Sequence, residues 1–267
     1  MEFGLLGPLS VTERGVDRTP TAPKQRQMLA LLLFNANRVV TTVQFVDELW
    51  EFAPPPSAVA AVHTYVRQLR RTLPGPRLIT RDQGYRVEVR PGELDLAVFR
   101  ARVADARTTA DPAVLARRLR AALDLWRAAL LVDVTPGPLL RGAIAAVERD
   151  RLATVCLRID AELHLGGHHD LIGELSGLTH RHPGHEGLAA HLMTALYRSG
   201  RQADALTAFH RLGRGLAEES GSPPSPRLHR LYTDILSADP RLEGPVGLGP
   251  ALSLDLVAQS PLWAAHR

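Results

Sequence analysis

The chain has 267 residues, 45% hydrophobic and 22% charged, which is enough to bury one large core or two ordinary ones and excludes disorder as its main state. Its single cysteine, Cys156, excludes an intrachain disulfide and any multi-cysteine metal site, so a buried free thiol is expected. A net charge of +4 says little about partners, but the position of the charge says more: basic side chains of the first hundred residues gather at Lys24 and Arg26, at Arg67 to Arg71, and at Arg77, Arg81 and Arg86. The start of the chain lacks a basic stretch followed by an apolar core, and no apolar run approaches membrane-spanning length. A cytoplasmic location without a membrane partner is expected.

In chain order, Met1 to Leu9 and Val11 to Val16 alternate around polar turns and predict short strands of a small sheet. Pro23 opens a helix that Asn35-Ala36-Asn37 ends. Val39 and Val40 make a short extended step before Thr41 or Thr42 caps a second helix running to Trp50. Pro54-Pro55-Pro56 breaks the chain stiffly, and Ser57 is expected to cap a long third helix that Pro74-Gly75-Pro76 stops. Leu78 to Thr80, the turn Asp82-Gln83-Gly84, and Tyr85 to Val89 read as a hairpin.

The third helix carries an aliphatic stripe, Val59, Val62, Val66, Leu69 and Leu73, at the three- and four-residue spacing of a one-sided core. Its other face bears His63, Thr64, Arg67, Gln68, Arg70 and Arg71. Two helices followed by a hairpin, with long hydrogen-bonding side chains on the free face, are the layout of a winged helix that reads DNA. Arg67 and Arg71 are four apart and reach one groove; Thr64 and Gln68 suit base edges or phosphates; Ser57 and His63 lie toward the helix start, and Arg70 suits the backbone. Arg81 at the hairpin tip suits the adjacent groove, and Lys24 and Arg26 combine charge with the free N–H groups of a helix start. Tyr65 and Tyr85 are expected to pack rather than to stack on bases.

From Leu94 onward nearly everything has helical period, so the expected architecture is mainly α with a small β component: an N-terminal winged helix-turn-helix, residues 1–91, an all-α tetratricopeptide-like domain, residues 94–238, and a tail, residues 239–267. Predicted helices are Leu96 to Arg107, Ala113 to Leu131, Ala143 to Leu165, His169 to His180, Glu186 to Ser199, Gln202 to Glu219 and Pro226 to Leu236. Gly166 aligns with Gly200, Asp170 with Asp204 and Leu175 with Phe209, each pair 34 residues apart, which is the tetratricopeptide period. In the tail, Leu252 to Val257 suggest a short helix and Trp263 an anchor. His164 and His168 lie four apart, but no cysteine or acidic partner stands at ligand spacing, so neither metal nor cofactor is expected. Nor does any order of Ser, His and Asp suggest an enzyme.

The strings NRVVTTVQFVDELW at 37–50, PPPSAVAAVHTYVRQLRRTL at 54–73, GYRVEV at 84–89 and LDLAVF at 94–99, in this order, resemble the Streptomyces antibiotic regulatory protein family. LDLWRAALLVDV at 123–134 and LYRSGRQADALTAFHRL at 196–212 are similar to its second domain, so that the resemblance spans residues 1–238. It implies an OmpR-type winged helix joined to a bacterial transcriptional activation domain. The implied partners are double-stranded DNA, read as direct repeats near a promoter of secondary-metabolite genes, and the RNA polymerase holoenzyme, with a homodimer at least on DNA. In OmpR-type domains the loop between the second and third helices touches polymerase, which here means Glu51, Phe52, Pro54 and Pro55. Where the family usually carries Gly directly after Leu-Trp, this chain has Glu51. No phosphate-binding Gly-rich loop and no receiver pattern are found, so neither an ATPase module nor aspartate phosphorylation is the expected switch. A rival reading makes the helical domain a small-molecule or peptide sensor and the chain a ligand-gated repressor or adaptor.

Overall fold

Glu2–Gly4 (β1), Ser10–Glu13 (β2) and Val16–Asp17 (β3) pair antiparallel in that order, with Phe3 opposite Val11 and both buried. The turn between β1 and β2 buries Leu5, Leu6 and Leu9, which takes their backbone amides from water and obliges them to find partners. Carboxylates much later in the chain supply these. Asp95 accepts from the Leu5 and Leu6 amides at 2.8 and 3.0 Å, and Asp133 from that of Leu9 at 2.8 Å.

Pro23–Phe34 (α1) buries an unbroken run from Gln27 to Leu33. Val40–Thr41 (β4) leads into Thr42–Trp50 (α2), and of the two candidate caps it is Thr41 that serves. Its hydroxyl accepts from the Gln44 amide at 3.2 Å while the Gln44 side chain accepts from the Thr41 amide at 2.9 Å, a reciprocal capping box. Ala58–Thr72 (α3) follows, then Leu78–Arg81 (β5) and Gly84–Val87 (β6), which with β4 form a second sheet in the order β4-β6-β5. Gly84 belongs to the strand, not to the turn, because a Cβ there would stand 2.0 Å from the Val40 carbonyl oxygen. Only glycine lets β4 and β6 approach so closely.

The computed structural model describes residues 1–73 and 75–242, so the expected tail helix and Trp263 lie outside the described residues. Backbone contacts group Met1–Thr108 with Arg120–Leu152 as one compact unit and Thr109–Leu119 with Ala153 onward as another. In the first unit, Asp95–Ala106 (α4) packs Phe99 edge-on against Trp126, ring centroids 5.6 Å apart. Pro112–Leu123 (α5) stops eight residues before the expected Leu131. The apolar spacing suggested a continuing helix, but the chain is drawn off to the first sheet: the Arg127 amide donates to the Leu6 carbonyl at 2.8 Å and that of Leu131 to Leu5 at 3.2 Å. Leu131 itself takes a φ of 50°, which no α-helix tolerates.

Pro138–His164 (α6) begins five residues earlier than expected, because Glu48 of α2 caps it from a distance. One Glu48 oxygen accepts from the Gly137 amide at 2.6 Å, and the other from those of Leu139 and Leu140 at 2.9 and 3.1 Å. A carboxylate at a helix start satisfies orphan donors and meets the positive end of the helix dipole.

In the second unit, His168–Arg181 (α7), Glu186–Arg198 (α8), Gln202–Ser220 (α9) and Pro226–Leu236 (α10) follow one another, each packed on the next. The internal repeat is visible in the backbone. Gly166 and Gly200 end α6 and α8 with φ of 84° and 74°, left-handed values suited to glycine. Asp170 and Asp204 stand in the first turns of the following helices, and Leu175 and Phe209 are buried. Cys156 is buried on α6, and burial pushes its thiol up to about 12. Among the described residues no helix is long and apolar enough to cross a membrane.

Candidate nucleic-acid interface

α3 packs Ala58, Val62, Val66, Leu69 and Leu73 into the core of the first unit. Val59 is not a member of that stripe. It is 50% exposed, and Ala58, one residue earlier, takes the inward position that keeps phase with Val62 and Val66. Ser57 stands at the N-cap, but its ψ of 8° is far from the extended geometry that aims a hydroxyl at the first-turn amides, and it makes no capping hydrogen bond. The helix therefore starts with its orphan N–H groups uncapped by Ser57 and with no acidic residue in its first turn.

On the opposite face His63, Arg67 and Arg71 are exposed, and neither arginine has a side-chain partner among the described residues. Thr64 turns its hydroxyl to the Ala60 carbonyl at 3.1 Å, and the Gln68 side-chain oxygen accepts from the Gln25 side-chain nitrogen at 2.9 Å. Arg70 is committed to the hairpin: its Nε donates to the Leu78 carbonyl at 3.1 Å, a terminal nitrogen to the Thr80 hydroxyl at 2.6 Å, and the guanidinium lies 5.9 Å from the Tyr85 ring. Tyr85 is buried and tilts on Phe45, with centroids 6.2 Å apart. The expectation that it packs therefore holds.

Lys24 and Arg26 face into the fold. The Lys24 ammonium donates to the Leu49 carbonyl at the end of α2 and sits 5.8 Å from the Trp50 ring. Arg26 donates to the Pro20 carbonyl at 3.0 Å and pairs with Asp133. Arg81 closes β5 opposite Gly84, exposed beside the Asp82-Gln83 turn. At the base of the hairpin Arg77 forks onto Glu93 at 2.6 and 2.8 Å, which holds the Glu93 carboxyl down at about 2.

The loop after α2 presents Phe52 at 97% exposure, with Pro54, Pro55 and Pro56 also exposed. Glu51 has φ 50° and ψ −109° and pairs with Arg141. That backbone explains why the related pattern carries Gly at this place. The Glu48 cap and the Arg77–Glu93 fork were not foreseen. A carboxylate two residues before Trp50 and next to Leu49 is a signal, but the sequence does not say which distant amides it meets.

The chain matches the model described as Transcriptional regulatory protein, C terminal, over residues 17–87, and that described as Bacterial transcriptional activator domain over residues 94–236. It is 39% identical over 257 residues to regulatory protein DnrI of Streptomyces peucetius, covering 91% of this chain and 94% of that one. Regulatory protein AfsR of Streptomyces coelicolor is 40% identical over 246 residues, 91% of this chain but only 25% of AfsR. Among solved structures, Mycobacterium tuberculosis EmbR in complex with low affinity phosphopeptide matches with a TM-score of 0.82 at 36% identity, over 90% of this chain and 65% of that chain. With an OmpR-type winged helix followed by a helical activation domain, the chain belongs to the Streptomyces antibiotic regulatory protein family of transcriptional activators.

Proposed function

We propose that this chain binds double-stranded DNA sequence-specifically, as direct repeats near promoters of a secondary-metabolite (antibiotic) gene cluster, and recruits the RNA polymerase holoenzyme there as a homodimer formed at least on DNA. The observation that carries this reading is the pair Arg67 and Arg71, one helical turn apart on the exposed face of α3 and without a side-chain partner among the described residues. Two guanidiniums held this way by a buried stripe are ready for base edges or phosphates, since ordering them breaks no existing ion pair. His63, Thr64 and Gln68 flank them on the same helix, Ser57 offers a hydroxyl that makes no capping hydrogen bond, beside the Val59 and Ala60 amides, for a phosphate, and Arg81 reaches from the wing. Lys24 and Arg26 hold the frame from within, and Arg70 ties α3 to the hairpin at the surface. The loop of Glu51, Phe52, Pro54 and Pro55 is the polymerase contact: a solvent-facing ring on a proline-stiffened segment docks with little loss of chain entropy.

Binding of the full chain to the DNA flanking its own gene tests this. Arg67→Ala and Arg71→Ala should each weaken specific binding by about 1–3 kcal/mol with an unchanged melting temperature, because neither side chain supports the fold. Affinity should also fall with salt by roughly one log–log unit for each phosphate neutralised. A flat salt titration, or two variants that bind like the parent, would overturn the reading face.

A further inference from the structure

We infer that Val59 and Ala60, at the start of α3, read the C5-methyl group of a thymine in the major groove, an inference that rests on the DNA-reading function proposed above. Both residues are exposed, and Val59 keeps half its surface in solvent. Neither side chain has a donor or acceptor, so neither serves a phosphate or a polar base edge. The major groove displays one apolar feature among its donors and acceptors, the thymine methyl group.

Their neighbours place that contact in the groove. Ala60 and Arg67 are seven residues apart, nearly two turns, so they lie almost in line along the helix. At 1.5 Å per residue the separation is about 10 Å, roughly three base steps at 3.4 Å each. The outward side chains also change in length along α3, from Ser57, Val59 and Ala60 at its start to His63 and then Arg67 and Arg71. Short side chains touch a groove floor only if the backbone comes close, and long ones reach it from farther out. The N-terminal end of α3 therefore approaches the bases most closely, where its uncapped amides also meet the phosphate wall. No acidic side chain stands in that first turn to repel the DNA.

The experiment uses the full chain and a random-sequence duplex pool. The sequence it enriches should carry a thymine about three base pairs from a guanine. Each thymine of that duplex is then replaced in turn by deoxyuridine, which lacks only the methyl group. One replacement should lower affinity roughly fourfold, the worth of one buried methyl group, and the Val59→Ser/Ala60→Ser double variant should bind the thymine and deoxyuridine duplexes alike. If every replacement leaves wild-type affinity unchanged, or the double variant keeps the same penalty, the inference is overturned while sequence-specific reading stands. If the wild-type chain enriches no sequence at all, the proposed DNA reading fails and takes the inference with it.

Discussion

Glu51 shows at the scale of one residue how a family pattern and a local conformation interact. Its φ of 50° with ψ −109° lies outside the left-handed helical well, in territory that side chains avoid. Holding a non-glycine residue there costs on the order of 1–3 kcal/mol, whereas the exposed ion pair with Arg141 returns at most about 1 kcal/mol. Glu51→Gly should therefore raise the thermal midpoint, by an amount set by that difference, when followed by circular dichroism. An unchanged or lowered midpoint would mean that the surrounding contacts accommodate the strained residue without penalty. Phe52, next along, is nearly naked to solvent and supports no core, so its replacement should leave the same midpoint where it is.

Elements are held together mainly by groups far apart in sequence, which sets what could be read from sequence alone. The α2 cap was legible because Thr41 and Gln44 stand three residues apart, and the inward stripe of α3 because helical period is local. Ser57 failed as a cap because its ψ of 8° turns the hydroxyl away from the first-turn amides, and Val59 fell outside the stripe because Ala58 holds the inward phase, neither of which composition reveals. The end of α5 and the start of α6 were misplaced for one shared reason: partners more than 80 residues away, Leu5, Leu6 and Glu48, decide them. Among the ten DNA-reading candidates, the exposed face of α3 was legible from period, whereas the inward turn of Lys24 and Arg26 depended on the unseen positions of Leu49 and Asp133.

Glu48 gives that lesson a measurable form. Its carboxylate is buried, and besides the α6 amides one oxygen accepts from the Gln27 side chain at 3.1 Å. Glu48→Gln keeps the shape but sets an N–H donor against amide donors and removes the charge at the helix start. Destabilisation of about 1.5–3 kcal/mol is expected, in line with hydrogen bonds to a charged group. Denaturant titration checks it; a variant as stable as the parent would show that water replaces the lost acceptor and that α6 needs no cap from α2.

At the scale of the whole molecule the winged helix draws partners for its buried groups from chain beyond its own segment. The amides of Leu5, Leu6 and Leu9 depend on Asp95 and Asp133, the Glu48 carboxylate on the amides of Gly137, Leu139 and Leu140, and Arg26 on Asp133. All of these partners lie beyond residue 93. A fragment of residues 1–93 keeps α3 and the wing but uncovers the apolar turn between β1 and β2, and it strands a carboxylate that the full chain buries. Burying one leucine side chain is worth about 1.5–3 kcal/mol, and uncovering Leu5, Leu6 and Leu9 together consumes much of the 5–15 kcal/mol that holds a typical domain together. Residues 1–93 should therefore melt broadly and bind DNA weakly, whereas residues 1–152, which restore every one of these partners, should melt cooperatively and recover binding per protomer. Calorimetry of the two fragments side by side decides it. A sharp transition for residues 1–93 at the temperature of residues 1–152 would show that the distant carboxylates follow the fold of the winged helix instead of completing it.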